Sequence, residues 1–171
     1  MRHSLSITVG TIKELREKCG AGIMDCRGAL IAAEGDMDKA LESLKHKGLL
    51  KAAKKAGRET AEGLVEAYIH PGGRIGALIE LNCETDFVAR TDEFKGLAHD
   101  ISMQVAAMCP QCVSADELPP DSEEPPETAC LLLQPFIKDP SKTIQDIITE
   151  AIAKLGENIR LRRFSRFELG K

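Results

Sequence analysis

The residues best able to do chemistry in this sequence are its cysteines and histidines. Cys109 and Cys112 have the Cys-x-x-Cys spacing that redox and zinc sites share. No second such pair or paired histidine completes a tetrahedral zinc site, and the βαβ pattern around a thioredoxin-like motif is missing. Because no secretory signal precedes them, reduced thiols are favoured. A redox role for this pair is the alternative, and we expect no metal site.

The sequence lacks the common catalytic motifs. It has no Gly-x-Ser-x-Gly elbow, no Walker A loop, no His-Glu-x-x-His helix and no Gly-x-Gly-x-x-Gly opening a helix. Its four histidines are scattered, and no carboxylate has a sequence-visible partner that would tune it for acid–base work. These features predict a binding or regulatory protein that is not an enzyme, has no catalytic residues and uses no cofactor.

The most informative stretch is Asn82–Arg90, which connects a predicted strand to a predicted helix. The apolar run 75–81 is typical of a strand, and Thr91 is a plausible helix N-cap. Asp86 and Phe87 therefore lie on a short connection, where function is often found. Spacing alone favours Phe87 in the core, and an exposed functional position is the alternative.

Three helical patterns open the chain and predict a compact bundle. Thr11 and Glu14 have capping-box spacing, and Gly20 ends the first helix. The second helix has apolar residues at helical spacing between 26 and 33. Asp36 caps the third, which is expected to end before Gly48.

Two further features of this bundle could contact a partner. Ile23 and Met24 are predicted on the turn between the first two helices, where they form a docking surface or pack beneath the bundle. The basic, Ala-rich segment 47–58 is predicted to be a helical linker. It has either a solvated face or a contact with an acidic partner.

The remaining chain is predicted to be α+β, with helices over a three-stranded antiparallel sheet. Alternating residues at 63–82 around Gly72 and Gly73 indicate a β-hairpin. Residues 158–169 resume strand character and are expected to pair with it. We expect Ile159, Leu161, Phe167 and Leu169 on one face of that strand and Arg160, Arg162 and Arg166 mostly on the other.

The helices that cover this sheet are expected at 92–108 and 144–155. Ser141 or Thr143 caps the second of these, and Gly156 ends it. Between the helices, residues 116–127 hold six acids, four prolines and no base, which predicts a loop. Residues 128–140 are expected to be irregular.

Charge and hydropathy limit the partners. The net charge is −4, with 12 Lys/Arg against 7 Asp/Glu in residues 1–58 and 11 against 20 in residues 59–171. The basic first part favours an acidic partner and lacks the dense patches of nucleic-acid binders. No apolar run approaches the roughly 20 residues that span a bilayer. Residues 1–6 lack a leader pattern, so we expect a soluble, cytoplasmic protein without nucleic-acid or membrane contacts.

Several segments together resemble the elongation factor Ts family. Residues 19–30 (CGAGIMDCRGAL) are similar to its N-terminal signature, 51–56 to its linker and 72–76 to its hairpin. Residues 82–90 (NCETDFVAR) are similar to its second signature, and 156–159 with 162–164 to its C-terminal core. These matches follow one order along nearly the whole chain. The match is poorest at about 109–128.

The resemblance implies a ubiquitin-associated-like three-helix domain at 1–55 and an α+β core and dimerisation domain at 56–171. It implies guanine-nucleotide exchange on translation elongation factor Tu, with the segment Thr85-Asp86-Phe87-Val88 disturbing the magnesium end of the partner's nucleotide site. Partner contacts from the N-terminal domain are implied for Arg16, Ile23 and Met24. Weaker candidates are Lys51, Lys54 and Lys55. Because only one core half is present, the resemblance also implies a homodimer built on the small sheet and a two-plus-two complex.

Overall fold

The computed structural model describes residues 7–171, which form helices and strands in the order expected of an α+β chain. The helices are α1 (Val9–Cys19), α2 (Ile23–Ala32), α3 (Met37–Lys55), α4 (Asp86–Ala89), α5 (Asp92–Met108), α6 (Pro126–Ala129) and α7 (Ile144–Leu155). The strands are β1 (Glu62–Ile69), β2 (Ile75–Cys83), β3 (Pro135–Phe136), β4 (Asp139–Thr143) and β5 (Ile159–Glu168). None of the described helices is long and apolar enough to cross a membrane. The leader prediction concerns residues 1–6, which lie outside the described part.

Helices α1, α2 and α3 pack around a small apolar core, which agrees with the predicted three-helix bundle. Leu15, Cys26, Leu30 and Ala40 are almost fully buried there. The predicted cap of α1 was wrong, because the helix begins at Val9 and places Thr11 inside its first turn. Thr8 is the N-cap: its hydroxyl accepts from the Thr11 N–H at 3.2 Å, and the Thr11 hydroxyl accepts from the Thr8 N–H at 3.0 Å.

Helix α3 does not stop before Gly48 but continues to Lys55, so the predicted linker is the second half of this helix. A glycine inside a helix costs only about 1 kcal/mol relative to alanine, which packing can offset. Here α3 packs along α7, and a Cβ placed on Gly48 would lie 3.6 Å from the Ala153 Cβ. The three-helix bundle is therefore joined to the α+β core by one continuous helix.

The predicted three-stranded antiparallel sheet is confirmed, with the strand order β1-β2-β5. Glu62 pairs with Cys83 at one end of the hairpin and Ile69 with Gly76 at the other, while Cys83 also pairs with Ile159 of β5. Helices α5 and α7 cover one face of the sheet. Ile79, Leu81, Phe94, Ile101 and Ile148 are among the buried residues of this core.

The expected face pattern of β5 was wrong in its second half. The register shifts between Glu80 and Leu81, so that the backbone of Arg162 has no register partner on β2. An extra residue in one strand moves each later side chain of that strand to the opposite face of the sheet. Phe164 consequently packs against the core, whereas Phe167 is 64% exposed. Arg166 points inward, where its Nε donates to the Ala106 carbonyl at 3.1 Å.

Residues 109–143 link α5 to α7 with more structure than expected. The acidic stretch 116–127 is mostly loop, as predicted. The expectation of an irregular 128–140 was wrong in part, because β3 and β4 form a short antiparallel pair. Thr143, not Ser141, caps α7 through a reciprocal pair of hydrogen bonds with Asp146, and Gly156 ends that helix. The Ser141 hydroxyl instead donates to the Asp139 carboxylate at 2.6 Å.

Candidate functional site

The connection between β2 and α5 forms one helical turn, α4, held between two threonine caps. Thr85 is the N-cap of α4, and Thr91 is the N-cap of α5, accepting from the Phe94 N–H at 3.2 Å. The Thr91 hydroxyl also donates to the Val88 carbonyl at 2.8 Å, which ties the end of one helix to the start of the next. The predicted loop is therefore an ordered turn.

Phe87 lies on the outer side of this turn with 79% of its surface exposed. Successive helical residues point about 100° apart, so α4 directs its residues to different sides. Ala89 is buried and Val88 packs against the core, whereas Phe87 faces solvent. Spacing alone favoured a core position for Phe87, and that interpretation was wrong; the exposed position, which was the alternative, is the one observed. Exposure forgoes the roughly 1.5–3 kcal/mol that burying a Phe side chain contributes.

The turn is anchored by the connection between α7 and β5. The Glu157 carboxylate accepts from the Thr85 hydroxyl at 2.6 Å, from the Thr85 N–H at 3.0 Å and from the Glu84 N–H at 3.2 Å. Hydrogen bonds to a charged acceptor each contribute about 1.5–3 kcal/mol. Glu157 thereby fixes the residue that begins α4.

A second carboxylate joins the same two segments, and here the acceptor lies on the segment before α4. The Glu84 carboxylate accepts from the Asn158 N–H at 2.6 Å and pairs with the Arg58 guanidinium at 3.3 Å. These two contacts, the first the larger, hold the pKa of the Glu84 carboxyl below its usual range. The Asn158 side-chain amide donates to the Arg58 carbonyl at 3.0 Å, so the segment that follows α3 is tied to this point as well.

Cys83 also holds the turn, from a buried position at the end of β2. Its thiol is fully buried and donates to the Thr85 carbonyl at 3.1 Å. Burial, with a smaller contribution from the Glu157 carboxylate, raises the pKa of Cys83 to about 11. The group is therefore a neutral thiol at neutral pH and acts as a hydrogen-bond donor.

Asp86 forms an exposed ion pair with Arg90, at 2.8 Å between the carboxylate and the guanidinium. Exposed pairs of this kind contribute about 0–1 kcal/mol, so either member can exchange its partner at little cost. Thr85, Asp86, Phe87 and Val88 are thus brought together on one turn, but Asp86 and Phe87 are its outward-facing members.

A second exposed group lies on the three-helix bundle. Ile23 and Met24 begin α2, not a loop as predicted, and they are 55% and 72% exposed, which excludes packing beneath the bundle. Arg16 is exposed on α1. Ile31, seven residues after Met24 on the same helix face, is 54% exposed and extends this apolar surface. Sequence reasoning missed Ile31, although its helical spacing from Met24 was visible.

The weaker lysine candidates differ in their contacts. The Lys51 ammonium pairs with Asp25 at 3.1 Å, and the Lys55 ammonium donates to the Gly156 carbonyl at the end of α7. Lys54 is exposed. Lys51 therefore joins two helices of the three-helix bundle, and Lys55 joins the end of α3 to the end of α7.

Sequence reasoning singled out the turn itself but not the two carboxylates that anchor it. Glu84 and Glu157 lie 73 residues apart and meet only in the fold. Their presence inside the two segments that carry the family resemblance was the available signal. Among the described residues, no group of three or more His, Cys, Asp or Glu side chains is arranged to hold a metal ion.

Comparison with known proteins supplies a further observation. Residues 49–129 match the family model described as Elongation factor TS. The chain is 52% identical to Elongation factor Ts of Carboxydothermus hydrogenoformans, over 96% of this chain and 90% of the relative. It is 50% identical to Elongation factor Ts of Heliobacterium modesticaldum, over 96% and 91%. The corresponding protein of Caldanaerobacter subterraneus is 48% identical, over 96% and 98%.

Proposed function

Since this chain belongs to the elongation factor Ts family, we propose that it is a guanine-nucleotide exchange factor acting on translation elongation factor Tu. It binds the GDP-bound partner, displaces Mg²⁺ and promotes GDP release, so that GTP can bind during polypeptide elongation. This action requires binding energy alone and no catalytic group. It agrees with the absence of enzyme motifs from the sequence.

The observation that carries this proposal is the exposed Phe87 on an anchored turn. A flexible loop must become ordered when it binds, and this ordering weakens the affinity. A preorganised turn avoids that cost. Here Glu157, Thr91 and Cys83 hold the backbone of the turn through hydrogen bonds. Phe87 is therefore presented as a fixed apolar wedge that can enter a cleft of the partner.

The coupling between this wedge and the nucleotide is reciprocal. If the exchange factor weakens binding of GDP and Mg²⁺, then GDP and Mg²⁺ weaken binding of the exchange factor by the same factor. Burying Phe87 contributes roughly 1.5–3 kcal/mol, which offsets a good part of a lost metal contact. Asp86, whose ion pair is exposed, competes for cationic and N–H groups near the nucleotide.

The surface formed by Arg16, Ile23 and Met24 is the proposed second contact, with the GTPase domain of the partner. Its exposed apolar side chains include a flexible methionine, which adapts to a partner surface. Burying it adds affinity without altering the nucleotide site, so this contact holds the complex while the wedge acts.

We further propose that two copies of the chain associate through the uncovered face of the three-stranded sheet. That face has large exposed apolar side chains, namely Val65, Ile69, Leu78, Phe167 and Leu169. Gly76 lies among them without a side chain, and a Cβ there would be 2.8 Å from the Ile69 Cδ1. A face this apolar is typical of an interface. The resulting dimer gives a two-plus-two complex with elongation factor Tu.

The direct test is release of fluorescent GDP from elongation factor Tu with and without this protein. Catalytic amounts of the chain should accelerate release, and excess Mg²⁺ should oppose the acceleration because the two compete through the coupling above. Release at the uncatalysed rate, with the partner shown to be active by another exchange factor, would overturn the proposal.

A further inference from the structure

Cys112 and Cys130 lie with their sulfur atoms 3.3 Å apart, and both are almost fully buried. Their backbones run side by side in an isolated parallel β-bridge. The Leu131 N–H donates to the Cys112 carbonyl at 3.0 Å, and the Cys112 N–H donates to the Ala129 carbonyl at 3.3 Å. These bonds hold the two residues side by side on neighbouring backbone segments of the chain. Paired segments of this kind lie about 4.8 Å apart, which is within the Cα separation that a disulfide bridges.

The Cys-x-x-Cys motif suggests a different pairing. Cys109 is the C-cap of α5 and is exposed, in the left-handed region with φ of 48°. Cys112 lies beyond Pro110 with its sulfur turned toward Cys130, and the described part of the chain has no sulfur contact between Cys109 and Cys112. The structure thus separates the two cysteines that the sequence motif joins.

We propose that Cys112 and Cys130 are a disulfide-forming pair that closes the acidic, Pro-rich segment between them into a covalent loop. The oxidant is a low-molecular-weight disulfide such as glutathione disulfide. One protein thiolate attacks a glutathione sulfur, which breaks the glutathione S–S bond, releases one glutathione and leaves a mixed disulfide. The second protein thiolate then attacks the protein sulfur and releases the second glutathione. Two protein thiols are oxidised, and one disulfide is reduced to two thiols.

Burial controls how quickly this reaction proceeds. Desolvation, followed by the hydrogen bond with Cys130, raises the pKa of Cys112 to about 11, so the closed form holds little thiolate at neutral pH. The residues between the two cysteines are mostly exposed, and exposed segments of this kind can open locally. Oxidation therefore follows opening of this segment. The disulfide then stabilises the fold by restricting the unfolded chain.

The test maps the disulfide in the full-length protein. After incubation with glutathione disulfide, free thiols are alkylated and the chain is cut without reduction by a Glu-specific protease. Glu117, Glu123, Glu124 and Glu127 all lie between the two cysteines, so cleavage separates them unless they are linked. Mass spectrometry should find the two fragments joined and lighter by two hydrogen atoms.

Cysteine variants identify the partners within the linked fragments. The link should persist in Cys109→Ser and be absent from Cys112→Ser. Cys83→Ser is the matched control for a buried thiol, since Cys83 donates to a carbonyl instead of facing a sulfur, and the link should persist there too. Oxidation should also raise the Tm of the wild type but not that of Cys130→Ser. A disulfide within the fragment that holds Cys109 and Cys112, or unlinked thiols at both Cys112 and Cys130, would overturn the proposal. Neither result depends on nucleotide exchange.

Discussion

The hydroxyl and the backbone N–H of Thr85 both donate to the carboxylate of Glu157, at 2.6 and 3.0 Å, across 72 residues of sequence. Thr85 begins the turn that presents Phe87, and Glu157 follows the end of α7. The position of the exposed Phe87 side chain thus depends on a residue that is distant in sequence and that contacts Thr85, not Phe87. Glu157 is in this sense a positioning residue for the turn.

Glu157→Ala should slow GDP release from elongation factor Tu even though Phe87 is unchanged. The variant leaves two backbone N–H groups and one hydroxyl without their acceptor, which should also lower the free energy of unfolding by more than about 1–3 kcal/mol, the cost of one such group. Glu157→Gln keeps an acceptor at the same place and should recover part of the rate. Release is compared at saturating variant concentration, with Glu127→Ala as an exposed control. If Glu157→Ala releases GDP as fast as the wild type does, Glu157 is not needed to position the turn.

Phe87→Ala should slow GDP release by about tenfold or more, since each 1.4 kcal/mol changes a rate by a factor of ten. The complex should still form through the bundle surface at Ile23 and Met24. Met108→Ala is the matched control: it is 43% exposed at the other end of α5, about 24 Å along the helix axis, and should leave release unchanged. If Phe87→Ala forms the complex and releases GDP at the normal rate, the wedge proposal fails.

Stability should fall at acidic pH in part through Glu84. Its pKa in the folded protein lies below the ordinary value of 4.5, because the Asn158 N–H and Arg58 favour the carboxylate. The contribution is therefore present above 4.5 and is lost as pH falls through the folded pKa. The stability difference between wild type and Glu84→Gln, measured by urea unfolding, should be largest at neutral pH and shrink below about pH 4.5. Glu123→Gln, on the exposed acidic segment, should show no such trend, and a constant difference for Glu84→Gln would exclude this role.

Gly63→Ala should destabilise the sheet beside the turn. Gly63 has φ of +144°, and a Cβ there would lie 2.2 Å from the Leu81 carbonyl oxygen, so the paired backbones must separate. We expect a loss of more than about 2 kcal/mol in urea unfolding. Gly96→Ala is the opposite control, since it lies inside α5 with open space around it and should gain about 0.5–1 kcal/mol. Equal effects of the two substitutions would contradict this assignment.

Phe167→Asp should convert the proposed homodimer to monomer. The substitution places a charge on the apolar sheet face, where association would have to desolvate it. Ile137→Asp, at an exposed apolar residue between β3 and β4 and outside this sheet, should leave the dimer intact. Equilibrium sedimentation separates the outcomes, and a wild-type protein that is only monomeric at tens of micromolar would rule out the dimer.

Periodicity sufficed for the elements that have one dominant pattern. The β1–β2 hairpin, α5 and α7 were predictable because alternation or helical spacing runs through each without interruption, and β5 was predictable as a strand. The extra residue at Arg162 was not, since it changes the faces of β5 without changing its composition. The predicted end of α3 before Gly48 was wrong because packing along α7, which local sequence does not show, outweighs the low helix propensity of glycine.

The candidate site shows the same division between local and long-range information. Its turn residues and Thr91 were visible as a strand-to-helix connection. The exposure of Phe87 was not visible from spacing, because it depends on which side of a one-turn helix faces the core, and only the family resemblance indicated it. The Glu84 and Glu157 contacts join segments far apart in sequence, and no local pattern encodes such a meeting.

Helix α3 begins in the three-helix bundle and ends with Lys55 bonded to the end of α7. Its 19 residues make a rod of about 28 Å, so the spacing between the two proposed contacts is set by helix geometry, with no freely jointed tether between them. Each residue inserted into such a rod would turn the bundle by about 100° and shift it by about 1.5 Å. The two proposed contacts are therefore held at a fixed separation and a fixed angle, and the proposed partner would have to match both.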